Sequence, residues 1–140
     1  MGREGVKLSV DTNVLIRSVV RDDDAQARAA DKILKDATLI AVALPTLCEF
    51  VWVLRRVYGV STTDITAAVR ALLDTANLVC NRPAADAGLA LLEAGGDFAD
   101  GVIAHEGAWL GGDTFVSFDK TAVALLEAQG YSATLLDRAG

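Results

Sequence analysis

Apolar and polar residues alternate over residues 6–10, with Val6, Leu8 and Val10 on one side, and that period of two predicts a strand. The period then lengthens: Val14, Leu15, Val19 and Val20 recur at helical spacing behind Asp11, which is suited to cap a helix start. The same switch repeats along the chain. A helix is predicted from about Asp24 to Lys35 and a short strand from Thr38 to Val42. The next helix carries Pro45 in its first turn, reaches about Tyr58 and is ended by Gly59. Ser61-Thr62-Thr63-Asp64 starts a further helix, continued by Ile65, Val69, Leu72 and Leu73. Leu78 to Cys80 reads as a strand, followed after Pro83 by a helix containing Leu89, Leu91 and Leu92. Gly95-Gly96 breaks the chain, Asp97 starts the next helix and Gly111-Gly112 closes it. Thr114 to Phe118 is a strand, Asp119 to Gln129 a helix stopped by Gly130, and Ala133 to Leu136 a last strand. Short strands separated by helices predict an α/β protein of three layers, with a mostly parallel central sheet of about five strands flanked by helices. No repeat, low-complexity tract or linker interrupts the pattern, so a single domain over residues 1–140 is expected.

Four acids interrupt that pattern where neighbours are mostly apolar. Asp11 ends the first strand, Glu49 lies within Leu47-Cys48-Glu49-Phe50-Val51-Trp52-Val53-Leu54, Asp100 opens Gly101-Val102-Ile103-Ala104, and Asp119 follows Thr114-Phe115-Val116-Ser117-Phe118. A carboxylate near low-dielectric surroundings is costly unless something positive meets it. With oxygen donors and almost no His or Cys, the expected partner is a hard divalent cation. Ligands of open α/β sheets bind beyond the carboxyl ends of the strands, which places Asp11 and Asp119 on that edge. Glu49 and Asp100 join them if their helices open at the same edge. Each acid also has an ordinary explanation. Asp11 and Asp119 suit N-caps, and Asp97 with Asp100 suits a cap and a first-turn acid favoured by the helix dipole. Glu49, with no clearly watery side to its helix, could pair with an arginine such as Arg17.

Composition narrows the classes. Hydrophobic residues make up 52% and charged residues 23%, which excludes a disordered chain. No uninterrupted apolar stretch is long enough to span a membrane and no signal-peptide pattern opens the chain, so a cytoplasmic protein is expected. Cys48 and Cys80 lack a second Cys or His at ligand spacing and read as reduced core thiols. The net charge of −6 argues against tight nonspecific binding to nucleic acid. Seven of the thirteen basic residues, Arg3, Lys7, Arg17, Arg21, Arg28, Lys32 and Lys35, fall in the first quarter, and Arg55-Arg56 form a pair. They suit a local phosphate-contacting rim or, more commonly, solvated helix faces. His105 reads as a surface or partly packed helix residue rather than a general base. Trp52 and Trp109 read as core or interface packing rather than base-stacking platforms.

The string Val10-Asp11-Thr12-Asn13-Val14-Leu15, then Glu49 ahead of Trp52-Val53-Leu54, then Asp97-Phe98-Ala99-Asp100-Gly101-Val102-Ile103-Ala104, then Ser117-Phe118-Asp119, resembles the PIN-domain family in order and spacing. It is most similar to the VapC toxins of type II toxin–antitoxin pairs, over about residues 7 to 136. The resemblance implies a PIN-like fold and an acidic quartet, Asp11, Glu49, Asp100 and Asp119, with Asp11 and Asp100 as the firmest metal ligands. Asn13, Asp97 and Ser117 match positions that help orient the cluster. The chain departs from the pattern at His105, where a small residue is usual, and in its longer link through Gly111-Gly112-Asp113. The implied activity is Mg²⁺- or Mn²⁺-dependent endoribonuclease cleavage of single-stranded or loop RNA by a metal-activated water. The implied partners are RNA, a cognate antitoxin and a second copy of the chain in a homodimer, with no membrane.

Two other classes fit parts of the pattern. A haloacid dehalogenase-like phosphatase also places an Asp after its first strand, but it needs a second Asp two residues on, where Asn13 stands. A noncatalytic PIN-like binding module would keep the fold without the chemistry, and an idle cluster of four acids would only repel itself.

Overall fold

The computed structural model describes residues 5–137, so Arg3 of the basic N-terminal set lies outside the described residues. They form seven helices and five strands, and the chain divides between Arg82 and Pro83 into two compact units.

In the first unit a strand, β1 (Lys7–Ser9), leads into α1 (Thr12–Val19) and α2 (Asp24–Asp36), followed by β2 (Leu39–Ala41), α3 (Leu44–Arg56), α4 (Thr62–Leu73) and β3 (Leu78–Val79). The strands pair in parallel in the order β1-β2-β3, with Leu8 opposite Ile40 and Ile40 opposite Leu78. Each is shorter than the alternation predicts, because pairing tapers at the ends into single bonds such as Val42 N–H to the Val79 carbonyl, 2.9 Å. Helix starts follow the short polar residues. The Asp11 carboxylate accepts from the Val14 amide, Asp23 from Gln26 and Ser61 from Asp64, each satisfying an otherwise orphaned first-turn donor. α3 instead begins with Pro45 in its first turn, where a missing N–H costs nothing. It ends before Gly59, whose φ of +63° only glycine adopts readily. Leu15, Ile40, Leu47, Phe50, Leu54 and Ile65 are fully buried and form the heart of this unit's core.

After α5 (Arg82–Glu93), which begins at the boundary, the second unit continues through α6 (Phe98–Trp109), β4 (Phe115–Ser117), α7 (Lys120–Ala128) and β5 (Ala133–Leu135). β4 and β5 are parallel, with Val116 opposite Thr134. Leu91, Ala104 and Leu126 bring α5, α6 and α7 onto one core cluster, against which Phe115, Tyr131 and Ala133 pack. Where α6 passes α5 the backbones touch: a Cβ on Gly101 would stand 2.5 Å from the Ala87 carbonyl oxygen and 2.8 Å from the Gly88 Cα.

The α/β class and the parallel pairing are as the hydrophobic periods predict. The five strands are distributed as a sheet of three and a pair. No helix among the described residues is long and apolar enough to cross a membrane.

Candidate functional site

The first unit carries Asp11, Asn13 and Glu49. Asp11 leaves β1 in an extended conformation (φ −88°, ψ 176°), and its Oδ1 accepts from the Val14 amide at 3.2 Å. The cap uses only this oxygen. Thr12, buried directly beneath, donates its hydroxyl to Oε1 of Glu49, 37 residues away, and so ties the start of α1 to the middle of α3.

Glu49 is not enclosed, contrary to the expectation of a helix without a watery side. α3 buries Leu47, Phe50, Val51 and Leu54, and the opposite stripe, Pro45, Glu49, Trp52 and Arg56, is exposed. These positions recur at intervals of three and four, one helical face. The misreading arose because an apolar residue, Trp52, occupies part of the solvent side. Arg17 is not the partner of Glu49 either: its Nη1 donates to Asp22 at 2.6 Å and to the Tyr58 hydroxyl at 3.3 Å.

Asp97, Asp100, Ser117 and Asp119 belong to the second unit. Asp97 caps α6, with Oδ1 accepting from the Ala99 amide at 2.9 Å. Asp119 caps α7, its Oδ1 accepting from Thr121 and Ala122 at 3.0 and 3.1 Å. The Ser117 hydroxyl, at the end of β4, accepts from the Asp119 amide at 2.9 Å and braces the turn between strand and helix. Asp100 lies in the first turn of α6 and is half-buried. Its carboxyl is pushed above the ordinary carboxylate range by burial first, then by Asp97 and then by Asp119. All three influences act in the same direction, against the charged form of Asp100.

Each aspartate that was expected to be an ordinary N-cap does cap a helix, and each does so through one oxygen. Asp11, Glu49, Asp97 and Asp119 are exposed, so the expected low-dielectric surroundings apply only to Asp100, and there in part. Among the described residues no three His, Cys, Asp or Glu side chains form a ready-made metal-holding group. The donor chemistry nevertheless fits a hard divalent ion: every candidate is a carboxylate, hydroxyl or carboxamide, and the charge around Asp100 is unbalanced in the sense a cation corrects.

Thr12 and Gly101 were present in the motifs without an assigned role. The signal for Thr12 was a hydroxyl next to the capping Asp11 in a sequence that then turns apolar; the signal for Gly101 was a glycine inside a helix, where it is otherwise unfavourable. His105 is half-buried, in keeping with a partly packed position. Trp52 and Trp109 are 57% and 82% exposed, which overturns the core reading of both. Cys48 and Cys80 are half-buried rather than enclosed in the core.

A comparison with curated proteins gives no match. The family comparison matches the PIN domain over residues 8–125, a span that crosses the boundary between the two units and contains Asp11, Asn13, Glu49, Asp97, Asp100, Ser117 and Asp119. PIN domains are a nuclease-type family whose members are generally hydrolases of nucleic acid and generally use divalent metals. The match covers most of the chain, and the parallel α/β architecture agrees with it: this protein belongs to the PIN-domain family.

Proposed function

We propose that residues 1–140 form a single PIN domain acting as a Mg²⁺- or Mn²⁺-dependent endoribonuclease, the toxin of a VapC-type toxin–antitoxin pair in the cytoplasm. Asp11, Glu49, Asp100 and Asp119 hold the metal, with Asn13, Asp97 and Ser117 in support. The observation that carries this reading is Asp100, a half-buried carboxylate whose burial and acidic neighbours all resist its charge within the family-matched span. Such an arrangement is unfavourable by itself and favourable around a cation.

A cation held by these residues would polarise a phosphate oxygen and make a bound water more acidic. The chain's own residues supply order. Helix caps fix Asp11 and Asp119 through one oxygen each and leave the other uncommitted by the cap. Thr12 orients Glu49, and the Ser117 hydroxyl sets the turn that carries Asp119. Attack by water leaves the RNA 2′-hydroxyl out of the chemistry, so the products carry 5′-phosphate and 3′-hydroxyl ends. Exposed Trp109 and Leu110 at the end of α6 support a protein-binding surface, for a second copy or an antitoxin.

The test incubates purified protein with RNA and with a generic phosphomonoester, in Mg²⁺ or chelator. RNA cleavage that requires metal and falls at least ~100-fold in Asp11→Asn and in Asp100→Asn supports the nuclease. Cyclic 2′,3′-phosphate ends would exclude the water mechanism, phosphomonoester turnover would favour the phosphatase class, and inertness with tight partner binding would favour the noncatalytic module.

A further inference from the structure

The exposed stripe of α3 sets Trp52 one turn after Glu49 and Arg56 one turn after Trp52. With 3.6 residues per turn and 1.5 Å of rise per residue, the three side chains leave the helix within a sector of about 60°, spaced about 4.5 and 6 Å along its axis. Trp52 is 57% exposed, so the largest side chain of the helix stands in water beside an acid of the proposed metal site. We propose that the Trp52 indole is a stacking platform for one unpaired base of the RNA substrate, next to the phosphate that is cut, with Arg56 on the phosphate of the adjoining nucleotide; the inference rests on the ribonuclease reading above.

The placement of the indole carries the argument. Side chains on an α-helix lean toward its N-terminus, so a residue at 52 covers the turn that carries Glu49. Glu49 is itself held by the Thr12 hydroxyl, which fixes the acid from which a base on Trp52 would be measured. Arg56 enters no ion pair among the described residues, whereas its neighbour Arg55 donates to the Thr62 hydroxyl at 3.0 Å. A chain of net charge −6 draws little RNA affinity from a general attraction to phosphate. Stacking on an aromatic ring needs no charge and accepts any base, and it is a recurrent way of holding single-stranded nucleic acid.

A second protein is a poorer occupant. The core of a protein interface is contiguous and depleted of charge, whereas Trp52 shares its stripe with Pro45, Glu49 and Arg56, and Arg55 is exposed beside it. Val57, the other large apolar residue exposed on this stretch, is turned roughly 140° away around the helix axis. The apolar surface that α3 offers around Trp52 is therefore one ring wide, which suits a base.

The test uses full-length protein carrying Asp100→Asn to suppress cleavage, and a short single-stranded RNA together with versions that lack the base at one position each. Binding is read by fluorescence anisotropy in Mg²⁺ over a range of salt. Adding Trp52→Ala weakens binding about tenfold, as loss of one stacked base does, while Trp52→Phe stays within about threefold of the parent. One abasic position weakens the parent by a similar factor and costs Trp52→Ala nothing further, because ring and base form a single contact. Trp52→Ala leaves the salt dependence unchanged, and Arg56→Gln flattens its slope by about 0.7, the value of one phosphate on a single strand. If Trp52→Ala fails to fold, Trp109→Phe leaves Trp52 as the single tryptophan, whose fluorescence is quenched more by the intact RNA than by the abasic one. Unchanged affinity in Trp52→Ala, or losses that add at every position, overturns the proposal. So does a Trp52→Ala protein that turns from dimer to monomer with RNA affinity intact, which would assign the ring to a second copy. The two readings fail separately: wild-type cleavage whose KM is unmoved by Trp52→Ala leaves the nuclease and removes the platform, whereas coupling between ring and base in a wild-type protein that never cleaves does the reverse.

Discussion

Asp100 is the residue at which stability and the proposed chemistry oppose each other. Its carboxyl binds a proton more tightly in the folded chain than its ordinary value of 3.8 implies, because burial, Asp97 and Asp119 all disfavour the charge. Its favourable contribution to folding is therefore fully present below the unfolded value and is lost as pH rises through the raised folded value. Asp100→Asn is expected to stabilise the metal-free protein at pH 7 by about 0.5–1 kcal/mol, discounted for the group's partial exposure. Urea melts at pH 7 and at about pH 3 check this, since the gap should close at the lower pH. The same variant should lose RNA cleavage. Thr12 makes a second residue-scale prediction. Thr12→Val removes the donor to Glu49 and should lower kcat about tenfold with little change in KM, the order expected for a lost bond to a charged group, while Thr12→Ser restores most of it. Equal losses in both variants would show that the hydroxyl does not position Glu49.

Helices α5 and α6 meet because Gly101 has no side chain. The clash of an added Cβ is with backbone, the Ala87 carbonyl and Gly88 Cα, and backbone cannot rotate away. Gly101→Ala is expected to cost about 1–3 kcal/mol in thermal melts. Gly107, on the same helix with nothing within 4 Å of its added Cβ, is the control: Gly107→Ala should be neutral or stabilising by up to ~1 kcal/mol. Helix α3 shows where element-level pattern misleads. Its buried face, Leu47, Phe50, Val51 and Leu54, follows the periodicity, but Trp52 on the exposed stripe made the helix read as apolar all round. Hydropathy treats an indole as a core group, whereas its position on the wheel beside Glu49 and Arg56 puts it in solvent.

For the whole molecule, a charge of −6 limits how much of RNA binding rests on phosphate contacts. If only one or two phosphates are neutralised, the logarithm of RNA affinity should fall with the logarithm of salt with a slope of about −0.7 to −1.4, and a much steeper dependence would indicate an extended basic surface. Metal binding should register globally as well. Mg²⁺ should raise the melting temperature of the wild type and leave Asp100→Asn nearly unmoved, because on the proposed reading only the folded wild type binds the ion strongly. An equal shift in both proteins would place the metal elsewhere. The alternation of strand and helix, the capping roles of Asp11, Asp97 and Asp119, and the order of the acids along the chain were determined by sequence alone, because periodicity and capping act within a turn or two of the backbone. Only tertiary structure decided that Glu49 faces outward onto the Thr12 hydroxyl, that Arg17 joins Asp22 and Tyr58 instead, that Gly101 is the contact between two helices, and that Asp100 is the acid whose charge is resisted. Those outcomes depend on groups tens of residues apart meeting in space, and no local pattern encodes which of them will meet.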